Sequence, residues 1–294
     1  MQFNSSKGKV VLESENYFSE SEFVSYRGGA DYNIINVIYR TAQDEGLRRI
    51  SAWTVAENIN PKFSAETIET VLYDLVENGF INYYPDTEEI EVKEKIYLYA
   101  VAAKGGSDFD RIKLESVTEK FDNGIMDLNT GDLTLFGIRN VEFSPKKFVG
   151  LKPFNKEITL QAGRDMDFAG RLFAGYSVLI GDDFHFNYDE FNIETDSTKF
   201  FDIFLPIIDA KEEKGKLKPA YSINSRIENV SGVLLIDAPL NKSGRDNIAL
   251  FPSFQSQESS FVFYDDPSIM DGAYNRDSFY IELEPFYLNS LLSL

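Results

Sequence analysis

A period-two alternation of apolar and polar residues constrains this chain more than any other feature. It is clearest in Asp182-Asp-Phe-His-Phe-Asn-Tyr188. An extended backbone puts Phe184, Phe186 and Tyr188 on one face there, and Asp183, His185, Asn187 and Asp189 on the other. Similar short segments recur between Gly, Asn and Asp breaks at 111–117, 124–128, 132–136, 138–143, 157–160, 167–174, 177–180 and 184–188. Others follow at 191–194, 200–206, 220–230, 231–236, 260–264 and 278–282. Asn129-Thr-Gly131 marks a hairpin turn. The Tyr-rich run 96–103 is expected as an apolar strand, with no helix beyond Lys95. The aromatic count, 25 Phe, 16 Tyr and 1 Trp, favours strands. The expected class is α+β, mainly β, in antiparallel layers forming a sandwich or an elongated sheet.

Residues 1–30 are expected to add strands to the main sheet, at 9–14 and 18–26. A different pattern interrupts at 31–95. Asp31 is a suitable N-cap for a helix carrying Tyr32, Ile35, Val37, Ile38 and Tyr39 and ending at Gly46. Ser51 caps a second helix, stopped at Asn60-Pro61. Ser64 caps a third, with Ile68, Val71, Leu72, Leu75 and Val76 on one face and Asn78-Gly79 as the stop. A hairpin follows at 80–92. Three helices and a hairpin resemble a winged-helix unit. The third helix, however, carries Glu66, Glu69, Asp74 and Glu77 and no Lys or Arg, and 31–95 holds 13 acidic against 6 basic residues. A helix so charged is repelled by phosphates. The insert is expected to pack on a sheet or dock a protein. Residues 96–294 form the β-rich remainder.

The whole chain has 29 basic and 48 acidic residues, a formal charge of −19. This balance opposes nucleic acid and anionic membrane surfaces as partners. Without cysteine there is no disulfide, thiolate metal site or cysteine nucleophile. No run is apolar for the roughly 18 residues of a membrane span. The N-terminal residues show no leader pattern, and the last residues, Ser290-Leu-Leu-Ser-Leu294, carry no polar tail. Two expectations follow: a complete cytoplasmic protein, or an internal piece of something larger.

His185 is the only histidine, so any imidazole chemistry must use it. Its polar strand face could share a cation with carboxylates, but an ordinary wet strand face is expected. Asp127-Leu-Asn-Thr-Gly-Asp132 resembles a calcium loop only at first sight, because the fifth, sixth and twelfth positions hold Gly131, Asp132 and Ile138. Ser6 with Lys9 and Ser144 with Lys147 match Ser-x-x-Lys without its companion motifs. Phosphate-binding and dinucleotide-binding glycine motifs and the Gly-x-Ser-x-Gly elbow are absent. Carboxylate pairs for glycoside hydrolysis are too easily found among 48 acids to carry weight. Tyr-rich strands at 96–99 and 261–264 could stack on sugars, although core pairing explains them as well. No catalytic, cofactor-binding or metal-ligating residue is assigned, and no cofactor is expected.

Asp237-Ala-Pro-Leu-Asn-Lys-Ser-Gly244, Phe251-Pro, Phe263-Tyr-Asp265, Tyr274-Asn-Arg-Asp277, Glu284-Pro-Phe286 and the stretch Phe168 to Phe191 resemble segments of very long uncharacterised cell-envelope proteins of Bacteroidota. That resemblance implies an interior, non-catalytic structural or interaction segment in the periplasm or at the surface. Its partners would be other protein segments, not nucleic acid. The alternatives are a glycan-binding or glycan-processing module and an elongated β-groove carrying lipid.

Overall fold

The computed structural model describes residues 2–6, 8–14, 16–18, 33–103, 108–119, 121–211, 213–223, 225–263, 276 and 279–291. The chain forms two compact units, Glu15–Asp110 and the combination of Met1–Ser14 with Arg111–Leu294.

The Glu15–Asp110 unit is built from α1 (Ile34–Glu45), β3 (Arg49–Ser51), α2 (Ala52–Ile59), α3 (Ala65–Glu77), β4 (Ile81–Tyr84), β5 (Glu89–Val92) and α4 (Glu94–Ala103). Helix α1 starts at the cap Asn33, whose side chain accepts from the Asn36 N–H, two residues beyond the expected Asp31. Asp31 and 19–26 lie outside the described residues. Gly46 ends α1 in the left-handed region at φ 64°, where glycine meets no steric penalty. Ser51 caps α2, and Ser64 and Thr67 form a reciprocal box at the start of α3. Strands β3, β5 and β4 make an antiparallel sheet in that order. The core holds Ile35, Ile38, Val55, Ile68, Leu72, Leu75, Ile81 and Ile90.

The unit is wider than the expected 31–95 because an aromatic cluster recruits residues from both sides. Phe18 lies 5.8 Å from each of Phe80, Tyr99 and Phe109, ring centre to ring centre. Tyr99 belongs to α4, so the expected strand at 96–103 is a helix. The run is buried at Ile96, Tyr99, Ala100 and Ala102, the packing of a helix enclosed on most of its circumference. Tyr suggested a strand, whereas Ala100, Ala102 and Ala103 are strong helix formers.

In the other unit, β1 (Gln2–Ser6), β2 (Lys9–Glu13) and β6 (Lys113–Val117) form a three-stranded sheet of their own rather than extending the main one. The main antiparallel sheet has twelve strands. Its path runs from β20 (Tyr287–Asn289) through β17 (Ser253–Ser256), β16 (Val230–Leu235), β14 (Asn192–Pro206) and β13 (Ser177–Asn187). It continues through β12 (Met166–Ala174), β11 (Glu157–Leu160) and β8 (Leu133–Phe136) to β7 (Gly124–Met126). Strands β9 (Val141–Ser144), β10 (Val149–Pro153) and β15 (Ala220–Ser222) branch from it, and β18 (Ser260–Phe263) pairs with β19 (Tyr280–Leu283). Leu12, Ile112 and Leu114 of the small sheet and its approach share one core with the large sheet. The mainly β, layered class is therefore what forms.

Register shows what holds the large sheet. One row of paired residues reads Met126, Leu133, Leu160, Met166, Phe186, Ile193, Leu234, Phe254 and Leu288. The adjacent row reads Ile125, Thr134, Thr159, Asp167, His185, Glu194, Val233, Gln255 and Tyr287. The first row faces the core and is buried from Leu160 to Phe254. The second faces outward. Cross-strand apolar contacts of this kind are the unit of sheet stability.

Two expected breaks are absent. The segments 177–180 and 184–188 are one strand, β13, and 191–194 with 200–206 are one strand, β14. Register shifts at Ile180/Gly181 and Thr195/Thr198 absorb the extra residues as bulges. Gly181 permits this because a Cβ there would sit 3.0 Å from the Phe184 ring. Strands β10, β17 and β20 were not expected. They carry Gly, Pro, Ser or Asn, and long-range pairing overrides their weak local signal.

Candidate functional site

His185 emerges on the polar row as the alternation requires, while Phe184, Phe186 and Tyr188 are buried. Its Nδ1 lies 2.6 Å from Asp167 Oδ1, and Gln161 donates to the other carboxylate oxygen. The cross-strand neighbour on its far side is Glu194. Both members of the His185–Asp167 pair are part-exposed, so the contact is worth at most about 1 kcal/mol. Among the described residues, no group of three or more His, Asp or Glu has the geometry to hold a metal ion. Asp183 and Asp189 complete no metal-holding group with the imidazole among the described residues. Asn187 caps the turn by accepting from the Glu190 N–H.

The segment Asp127 to Asp132 is a hairpin loop. Asp127 Oδ1 accepts from the Asn129 N–H at 2.8 Å, and Thr130 Oγ1 from the Asp132 N–H at 3.2 Å. Gly131, at φ 82°, closes the turn by donating to the Asp127 carbonyl. Two of the loop's side-chain oxygens are thus engaged by the chain's own amides. Lys147 is buried, and its Nζ donates to the Ile248 carbonyl at 2.7 Å. Lys9 pairs with Glu115 at 3.0 Å.

The proposed sugar-stacking runs divide. Tyr99 is core, and Tyr97 packs edge-on against Tyr39. Phe261 and Phe263 pack on each other and on Tyr280, which is half exposed. Arg276 lies 4.1 Å over the Phe263 ring and pairs with Glu228. Tyr264 lies outside the described residues.

A polar network that no sequence motif marks lies on one face of the β3–β5–β4 sheet. Alternation brings Arg49, Glu91 and Asn82 into one row and Ser51, Glu89 and Tyr84 into the next. Glu91 accepts from Asn82 Nδ2 at 3.0 Å and from the Tyr84 hydroxyl at 2.8 Å. These two hydrogen bonds, Asn82 first, hold its carboxyl below the ordinary value of 4.5. Arg49 stacks 4.8 Å over the Tyr84 ring and reaches Glu89 at 3.6 Å. On α3, loss of solvent and then the Glu69 charge raise the Tyr73 phenol above 10.0. Tyr73 packs edge-on against Tyr83. With Trp53 also exposed, the unit presents aromatic rings set among carboxylates. The sequence signal available was the 85–88 turn, which fixes the register of 82 against 91.

Two open depressions lie in the large-sheet unit. One of about 640 Å³ is lined by Tyr176, Pro206, Leu217, Leu291 and the lysine-rich loop at 214–218. The other, about 470 Å³, lies among Arg111, Lys113, Glu115, Arg139 and Glu142. The second is lined mostly by charged side chains and the first by lysines, a glutamate and apolar residues together, while a smaller, mainly apolar recess lies among Leu12, Ile112, Leu114, Met166 and Tyr188. No helix is long and apolar enough to cross a membrane among the described residues. No protein-family model, curated protein or solved structure matches the chain.

Proposed function

We propose that this chain is a non-catalytic structural and interaction segment of a large cell-envelope protein. One observation carries the reading. Several side chains able to do chemistry are engaged by fixed neighbours. His185 is held by Asp167, Glu91 by Asn82 and Tyr84, Lys147 and Lys242 by backbone carbonyls. Groups fixed this way stiffen a surface and make it specific, which favours recognition over turnover. The resemblance to Bacteroidota envelope proteins supplies the location. The helix, hairpin and helix order of Glu15–Asp110 supports a winged-helix-like unit. The carboxylates Glu66, Glu69, Asp74 and Glu77 on α3 turn that unit towards protein segments and away from DNA.

A second reading has one specific observation behind it. The half-exposed Tyr280 ring beside the Arg276–Glu228 pair has the aromatic and polar make-up of a sugar platform. Calorimetric titration of the full chain with soluble glycan fragments, with native mass spectrometry for bound acyl chains, separates the readings. The structural reading expects neither heat nor acyl adducts. Saturable heat lost in Tyr280→Ala would establish the glycan module, and acyl adducts would establish the lipid groove.

A further inference from the structure

Strand β7 ends the twelve-stranded sheet, and among the described residues no strand pairs with its outer side. Asn123 and Asp127 bond to Phe136 and Asp132 of the neighbouring strand through Phe136 N–H to Asn123 O and Asp127 N–H to Asp132 O, both 2.9 Å. Antiparallel alternation then assigns Ile125 to the same bonded set and turns the backbone N–H and C=O of Gly124 and Met126 outward. The side chains add an apolar rim. Phe121, Ile125, Met126 and Leu128 are 74%, 62%, 54% and 88% exposed. Met126 is the terminal member of the core-facing row, so that row runs out into solvent instead of ending at a polar residue. Natural edge strands are usually blunted by being very short or by Lys, Pro, a bulge or a covering loop; β7, at three residues, has the first of these devices. Gly124-Ile-Met126 has no Lys or Pro and no register shift against β8. At the opposite end, β20 is tied to the 249–250 loop. There Asn289 Nδ2 donates to the Ala249 and Leu250 carbonyls at 2.9 and 3.1 Å, and the Tyr287 hydroxyl to Leu250 at 3.3 Å.

We propose that the β7 edge accepts one extended strand from a protein partner whose apolar residues alternate with Lys or Arg. The strand would bond to Gly124 and Met126 and continue the apolar row beyond Met126. Charge selects this occupant over a second copy of the chain. Residues 119–132 contain Glu119, Asp122, Asp127 and Asp132 against the single Lys120. Two such edges would repel each other, whereas alternating cations are attracted. The inference rests on the interaction-segment reading and names its docking surface.

The test uses the full chain and a fluorescein-labelled peptide, Lys-Val-Lys-Val-Lys-Val-Lys, with a Glu-for-Lys counterpart as control. Residue-resolved amide exchange and fluorescence anisotropy are read at low salt. The expected result is slowed exchange at Gly124 and Met126 with Ile125 unchanged, and binding of the Lys peptide at least about tenfold tighter than the Glu peptide. Met126→Pro deletes only an outward N–H and should weaken binding about tenfold or more while leaving the circular dichroism spectrum intact. If that variant unfolds, Met126→Lys should weaken the Lys peptide alone through like charge. Equal binding of both peptides, unchanged exchange at Gly124 and Met126, or binding indifferent to both variants would overturn the proposal. So would a dimer of the chain in sedimentation that Met126→Pro dissolves, because the occupant would then be a second copy. Loss of the peptide result with envelope location intact would sink this edge assignment and leave the broader reading standing.

Discussion

Phe186 and His185 are adjacent in sequence and opposite in consequence. Phe186 is fully buried, 4.7 Å from the Phe143 ring centre and 6.1 Å from that of Phe191. It stands mid-row between Met166 and Ile193. Phe186→Ala therefore removes transfer free energy and leaves a cavity among rigid neighbours, a loss of about 3–5 kcal/mol. His185 loses one part-exposed contact to Asp167, so His185→Ala should cost under about 1 kcal/mol. With a guanidinium m-value of roughly 4 kcal/mol/M, the first shifts the midpoint by about 1 M and the second by at most about 0.25 M. Far-UV circular dichroism across a guanidinium titration of the full chain reads both. Equal shifts would refute the reasoning, because they would mean that β13 does not sort alternate residues between core and solvent.

Other outcomes follow from single contacts. Gly232→Ala should destabilise the large-sheet unit by about 1–3 kcal/mol or more, because a Cβ there runs into the Gln255 carbonyl and the Phe254 ring; thermal melts check it. Asn33→Ala should cost the helical unit about 1 kcal/mol by removing the α1 cap, seen as a lower urea midpoint of the Trp53 emission change. The Glu91 carboxyl should titrate below 4.5 in carboxyl-detected NMR, and Asn82→Ala should move it up. The sign is that of a depressed acid. The fold favours the charged form, a contribution present above the unfolded value and lost as pH falls through the folded one. A Glu91 midpoint at or above 4.5 would contradict the hydrogen bonds from Asn82 and Tyr84.

What the sequence shows and what it hides divides by range. The stops at Gly46 and Asn60-Pro61 and the caps Ser51 and Ser64 are decided within a turn of helix, and they stand where local chemistry puts them. The split of Phe184 and Phe186 from His185 is likewise local. The continuity of β13 and β14 is not. Gly181-Asp-Asp183 has the composition of a turn, and only pairing with Thr198 on a strand many residues later turns it into a bulge. The helix at Glu94–Ala103 was masked by tyrosines with strand preference, although Tyr99 enters a four-ring cluster that only a tertiary fold assembles. Candidate sites follow the same rule. His185 was legible, its partner Asp167 was not. The β7 edge was invisible because strand order is written in no local pattern.

We propose that this chain works as a non-catalytic part of a large envelope protein. The most direct test is an antibody raised to the chain, used on the source cells after the envelope has been separated from the cytoplasm. The account expects a band far above 33.5 kDa in the envelope fraction. A soluble cytoplasmic band at 33.5 kDa would contradict it.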